Sequence, residues 1–239
     1  MPAQWRAQVI SLFPEMFPGP LGCSLAGQAL RQGLWSLDPI DLRTHGIGPH
    51  RKVDDTPYGG GSGMVMRADV IASALNEASN KNPDLPIYYM SPRGKPLQQT
   101  DVQTLALQPG CTILCGRFEG VDQRVLDYFS VQEVSIGDYI LSGGELAAMA
   151  MIDACVRLLP GVLANPEATV EESFGAHGHG CLLEYPHYTQ PAEFEGMAVP
   201  DVLRSGNHAH IRAWRLAQAE AATQKRRPDL WQRYTAAKK

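Results

Sequence analysis

Residues 116–161 read GRFEGVDQRVLDYFSVQEVSIGDYILSGGELAAMAMIDACVRLLPG, and this stretch decides the fold class. Two short apolar runs lead into loops that carry glycine: Ile113-Leu114-Cys115 into Gly116, and Val134-Ser135-Ile136 into Gly137. Gly143-Gly144 then opens a long apolar segment that starts at Glu145 and stops at Pro160-Gly161. Apolar runs of this length, alternating with helical segments, read as buried parallel strands. Open α/β sheets bind ligands at the carboxyl ends of such strands. Glycine there accepts positive φ and lets a ligand approach backbone N–H and C=O groups, which suits a nucleoside read through main chain. In the helix expected from Glu145, Leu146, Met149, Ile152, Val156 and Leu159 share one stripe, while Asp153 and Arg157 lie four apart on the other side and can pair.

Upstream, Gln8–Phe13 reads as a first strand closed by Pro14. Leu25, Ala29, Leu30 and Leu34 recur at helical spacing, and Ile40–Leu42 is a second strand. No G-x-G-x-x-G follows the first strand, which disfavours a dinucleotide-dependent oxidoreductase. The segment RKVDDTPYGGGSG (51–63) is basic and then glycine-rich, yet lacks the Gly-Lys-Ser/Thr of a phosphate loop, so an NTPase is disfavoured as well. It suits approach to a nucleic-acid backbone, with Arg51 and Lys52 as contacts. Val70 to Ala78 gives another helix, Ile87–Met90 a strand ending at Ser91-Pro92-Arg93-Gly94, and Thr100 with Gln103 a capping box for the helix that runs to Leu107. The repeated alternation predicts a largely parallel sheet with helices on both faces.

The 239 residues carry a formal charge of -4, unevenly spread. Residues 201–239 hold nine basic side chains against three acidic, and residues 165–200 hold six acidic and none basic. A block of +6 on an otherwise acidic chain points to a polyanion, most commonly nucleic acid. Five cysteines without C-x-x-C spacing suggest neither a disulfide framework nor a zinc site. With no run of about 18 apolar residues and no secretory signal pattern at the amino terminus, a cytoplasmic protein without a membrane span is expected.

Composition changes at Asn165. Residues 165–182 read as a flexible linker between an α/β domain (1–164) and a small helical domain (183–239). His177, His179 and Cys181 are close enough in sequence to ligate a metal, although loop clusters of this kind are usually adventitious. Ser205-Gly206-Asn207 opens a helix with His208, Arg212 and Arg215 near one face and Ile211, Trp214 and Ala221 near another.

Taken together, PYGGGSGM (57–64), GRFEG (116–120), SIGDYILSGGE (135–145), LPGVL (159–163), PHYT (186–189) and SGNHAHIRAWR (205–215) resemble the bacterial tRNA (guanine-N1)-methyltransferases of the SPOUT class, in the right order over nearly the whole chain. The resemblance implies a homodimer that transfers methyl from S-adenosylmethionine to N1 of guanine 37 in tRNA, beside the anticodon. It also implies an α/β fold with a deep trefoil knot and a small all-helical carboxyl-terminal domain. A non-catalytic RNA-binding module that keeps the fold is the alternative.

By the same resemblance the cofactor lies against Tyr89, Met90, Ser91 and Pro92 from one strand end, and Gly116, Phe118 and Glu119 from the next. Ile136, Gly137, Asp138, Tyr139, Ile140 and Leu141 would contact it from the third, with Gly143 and Gly144 closing the pocket. Glu119 would help hold magnesium. Removing the proton on guanine N1 needs a base, and the charge that builds on O6 needs a cation. The family's aspartate base corresponds to Glu172, and its arginine to Arg157. Arg51, Lys52, His208, Arg212 and Arg215 would contact RNA. Phe118 stands where the family commonly has tyrosine, and the linker looks a few residues longer than usual.

Overall fold

β1 (Trp5–Ser11) starts earlier than the expected strand and stops sooner, because the Ser11 hydroxyl accepts the Phe13 N–H at 2.9 Å and turns the chain. α1 (Ser24–Arg31) follows, then β2 (Trp35–Asp41), which begins well before the expected Ile40. β2 lies at the sheet edge, where Pro39, with no N–H to donate, is tolerated inside a strand. β3 (Asp54–Asp55) and β4 (Val65–Met66) pair antiparallel across the glycine-rich loop. α2 (Ala68–Lys81) buries Val70, Ile71, Ala74, Leu75 and Ala78, one face of a 3.6-residue period. Next come β5 (Ile87–Pro96), α3 (Gln99–Ala106), β6 (Gly110–Cys115), α4 (Gln123–Tyr128), β7 (Gln132–Ser135) and α5 (Glu145–Val156).

The computed structural model describes residues 4–165 and 168–238, in two compact units, Met1–Ala164 and Asn165–Lys239. In the first, five strands form a sheet in the order β2-β1-β6-β5-β7, every neighbouring pair parallel. This is the α/β class with a parallel sheet that the alternating pattern predicts. One apolar cluster fills the face under α1, α3 and α5, and a second fills the face under α2 and α4. β6, between β1 and β5, is buried at every residue.

Two local expectations change. The cap of α3 is not Thr100 with Gln103: the helix starts two residues earlier, with Gln98 as cap, and the Asp101 carboxylate takes the Gln98 N–H at 3.1 Å. The chain leaving β5 is already held there by the Leu97 N–H bonded to the Ser135 carbonyl at 2.8 Å, which fixes where the helix can begin. In α5 the stripe from Leu146 is incomplete. Leu146 is 53% exposed, while Ala147, Ala148, Met149, Met151, Ile152, Cys155 and Val156 are buried. The helix packs against α1, α3 and the sheet, so most of its circumference is core and a single stripe describes it poorly.

The second unit contains α6 (Ala168–Glu171), β8 (Glu193–Phe194), β9 (Met197–Ala198), α7 (Asp201–Arg204), α8 (His208–Arg226) and α9 (Pro228–Ala237). It is therefore not all-helical: β8 and β9 form a hairpin. Glu195 and Gly196 both take left-handed backbone, φ +52° and +74°, as a two-residue hairpin turn requires. Its small core joins Cys181 and Leu182 to Ala219 of α8 and Tyr234 of α9. The end of the segment read as linker thus packs with the helices. Asn207 caps α8, its side chain accepting the Ala209 and His210 N–H groups at 3.2 Å each. Among the described residues no helix is long and apolar enough to cross a membrane.

A glycine-walled cavity at the strand ends

The carboxyl ends of β5, β6 and β7 lie side by side and open into three loops. Between them is a cavity of about 320 Å³, within the range of small-molecule sites. Its lining takes Tyr89, Met90, Ser91 and Pro92 from β5, then Gly116, Phe118 and Glu119 after β6. Ile136, Gly137, Tyr139, Ile140, Leu141, Gly143 and Gly144 close it after β7. Of the residues assigned to the cofactor from sequence, only Asp138 is outside this wall. β5 makes room by a break in register: Met90 and Lys95 both face Val134, so Ser91–Gly94 stand away from the ladder.

Close approach, and not turn geometry alone, explains one of the glycines. A Cβ at Gly116 would fall 2.6 Å from the Tyr89 ring, which is itself buried and packed against that loop. Burial raises the Tyr89 phenol above its ordinary range, so it stays a neutral wall. Tyr139, half exposed, folds its hydroxyl back toward the Ile136 carbonyl at 3.4 Å, and Ile140 is 81% exposed. Phe118 is also exposed, with left-handed backbone at φ +59°, and the Glu119 N–H donates to the Met64 carbonyl at 2.9 Å. The 116–120 loop is thereby tied to the end of the glycine-rich 57–64 loop.

A buried ion pair braces the wall. Glu145, 1% exposed, accepts the Ser11 hydroxyl at 2.7 Å and pairs with Arg117 at 2.9 Å, while Arg117 Nη1 donates to the Ser142 carbonyl at 3.2 Å. The Arg117 guanidinium lies 4.5 Å from the Phe13 ring centroid, a cation–π contact. One arginine therefore joins the loop after β6, the loop before α5, the first turn of α5 and the chain after β1.

The remaining assigned residues lie elsewhere. Arg157 caps the carboxyl end of α5, its N–H bonded to the Asp153 carbonyl at 3.1 Å. Some ten residues, about 15 Å of helix, separate it from Ala147, the last α5 residue in the cavity wall. Arg51 and Lys52 are exposed, Lys52 paired with Asp55 at 2.9 Å. In the second unit His208 and Arg212 are exposed, whereas Arg215 turns inward to Glu171 at 3.2 Å and sits 4.7 Å from the Tyr185 ring centroid. The expected grouping of Arg215 with a fully cationic face is thus revised: Arg215 shares its side of α8 with Leu216 and Ala219, which pack inward. Glu172 is partly buried and lines a small cavity of about 40 Å³ with Glu171, Tyr185, Arg212 and Arg215. Among the described residues no three His, Cys, Asp or Glu side chains gather to hold a metal, and the His177 side chain lies outside the described residues.

The family model described as tRNA (Guanine-1)-methyltransferase TrmD matches residues 5–233. The chain belongs to this family. A protein of Rhizorhabdus wittichii named tRNA (guanine-N(1)-)-methyltransferase is 58% identical over 98% of this chain and 94% of its own. One of Nitrobacter winogradskyi with the same name is 61% identical over 95% and 93%, and one of Ruegeria sp. is 55% identical over 98% and 95%.

Sequence reasoning assigns no contact role to several residues of this cavity. Arg117, Gly120, Val134, Ser135, Ser142 and Ala147 line the cavity as well. Arg117 and Glu145 lie inside the quoted GRFEG and SIGDYILSGGE motifs, and opposite charges flanking two glycine loops are the signal that could have paired them. Ser11, distant in sequence, carries no such signal.

Proposed function

We propose that the chain is a tRNA methyltransferase that binds S-adenosylmethionine in the strand-end cavity and methylates N1 of guanine 37, working as a homodimer with a trefoil knot at the cavity. The observation that carries this reading is the cavity itself: three consecutive strand-end loops supply a wall of glycines and backbone groups, in a chain of this family. The volume and the close backbone approach fit an adenosyl group held mainly by main chain. When bound, the cofactor supplies an electrophilic methyl group on a sulfonium.

The protein's own residues supply the rest. Tyr89, Leu141 and Gly144 line the cavity. Glu172 takes the proton from N1, which leaves a lone pair there as nucleophile. Arg157 neutralises the charge that develops on O6. Glu172 adds one methylene to the family's aspartate, about 1.5 Å of reach, a length at which a misplaced base costs on the order of 100-fold. Glu119 is one wall carboxylate able to hold magnesium through water and substrate, as that ion usually is held. Arg51, Lys52 and Arg212 are exposed cations suited to phosphate, and His208, on α8 with Arg212, is an exposed hydrogen-bonding side chain.

Two features support the dimer. Arg157 stands a helix length from the cavity of its own chain, so a second copy must present an arginine there if it is to reach the reacting base. Ile140 and Leu146, apolar and exposed on either side of the glycine pair, are the kind of surface that a partner covers. The test is methyl incorporation from labelled S-adenosylmethionine into tRNA transcripts with guanine or adenine at position 37. Guanine-dependent incorporation that disappears in Glu172→Gln, with cofactor affinity intact, is expected. Tight tRNA binding without any incorporation would leave the RNA-binding module as the reading.

A further inference from the structure

Glu171, next to the proposed base, is held by two donors. Its Oε2 accepts the Tyr185 hydroxyl at 2.8 Å and pairs with Arg215 Nη1 at 3.2 Å, and the Arg215 guanidinium also lies over the Tyr185 ring. These groups come from three places in the second unit: the end of α6, the irregular segment before Pro186, and the middle of α8. Burial and the Glu171 bond push the Tyr185 phenol up to about 12, so it stays a donor across the working range of pH. The residues that follow are stitched to the same segment. The Phe174 N–H donates to the Leu182 carbonyl at 2.9 Å, and the Ser173 hydroxyl accepts the Glu184 N–H at 2.9 Å. Glu172 sits between these two sets of bonds and lines the same small cavity as Arg215.

We propose that Glu171 is a positioning residue: clamped by Arg215 and Tyr185, it fixes the turn that presents Glu172, and Arg215 serves this clamp and not the tRNA backbone. The inference rests on the reading of Glu172 as base. An exposed ion pair alone contributes little, but here the guanidinium and the phenol share one carboxylate and touch each other through the cation–π contact, so the three act as a network. Catalysis is sensitive to displacement of a base by about 1 Å. A clamp on the neighbouring residue therefore matters for turnover more than for folding.

The test uses the full-length enzyme with tRNA and S-adenosylmethionine. Glu171→Gln and Arg215→Lys should each lower kcat about 10- to 100-fold, with the KM and Kd for S-adenosylmethionine unchanged, since the described residues that line the strand-end cavity all fall between Tyr89 and Ala147. The ascending limb of the pH–rate profile should persist, because the proton-accepting carboxylate is still present. The exchange Glu171→Arg with Arg215→Glu should recover at least tenfold over either partner alone, which lost packing would not allow. Wild-type kcat in Glu171→Gln, or no recovery in the exchange, overturns the clamp. Full activity in Glu172→Gln, with the limb lost in Glu171→Gln, makes Glu171 the base and overturns both readings, so the two failures are told apart.

Discussion

Glu145→Ala tests whether the Arg117 brace organises the cavity. Glu145 is 1% exposed and the Arg117 side chain 18% exposed, so removing the carboxylate leaves a largely buried guanidinium without its counter-ion and the Ser11 hydroxyl without its acceptor. Breaking a buried pair from one side costs about 3–5 kcal/mol. Arg117 keeps the Ser142 carbonyl and the Phe13 ring, which places the expectation near the lower end, about 3 kcal/mol. That is a large share of an ordinary stability of about 5–15 kcal/mol. Urea unfolding at neutral pH reads it, followed through Trp5 and Trp35, both buried in the first unit. Glu145→Gln with Arg117→Met, which removes both charges and keeps the volume, should recover most of the loss. The single variant should also weaken S-adenosylmethionine binding more than tenfold by calorimetry, because Arg117 spaces two walls of the cavity. A loss below about 1 kcal/mol, or a double variant no more stable than the single one, would show that the pair is not a brace.

Thiol titration of the native protein with a disulfide reagent should find one fast cysteine, Cys23, because Cys111, Cys115, Cys155 and Cys181 are buried and burial pushes the Cys155 thiol up to about 12. Gly116→Ala should abolish cofactor binding while leaving tRNA affinity within a few-fold, since the added methyl meets the Tyr89 ring in the cavity wall; retained binding in calorimetry would refute the close-approach argument. Tyr185 has a folded pKa raised to about 12 from 10.0, so its contribution to stability is complete below pH 10 and is lost as pH rises toward 12. Thermal melts across that range should show the decline in wild type and a shallower one in Tyr185→Phe.

The strand ends were readable because glycine and short apolar runs report on local backbone, and the cavity forms from residues within each of three such ends. The 116–120 and 134–144 loops needed no long-range knowledge to be named together. Ser11 was not readable: its role is set by the placement of β1 beside β6 in the sheet, and nothing in the residues around it announces Glu145 as a partner. Periodicity failed at Leu146 because a helix packed on several sides has no single apolar stripe. It failed at Arg215 because a side chain at one helix position can turn toward either neighbour, and Glu171 with Tyr185 decided the direction. The hairpin at Glu193–Ala198 was missed for a related reason, since two-residue strands carry too few side chains to show alternation.

The residues proposed for cofactor binding and for proton removal fall in different units, which should separate affinity from turnover. Every residue of the strand-end wall lies between Tyr89 and Ala147, whereas Glu172 and its clamp belong to the second unit. On the proposed function, cofactor binding belongs to the first unit. On the same proposal, proton removal depends on Glu172, whose neighbour Glu171 is bonded to Arg215 of α8 and to Tyr185. Variants of the clamp should act on kcat and variants of the glycine loops on cofactor Kd, with little coupling between them in double-mutant cycles. Strong coupling between Glu171→Gln and Gly144→Ala in cofactor affinity would mean that the cavity is not complete without the second unit, and that the base is placed by the cofactor and not by its own clamp.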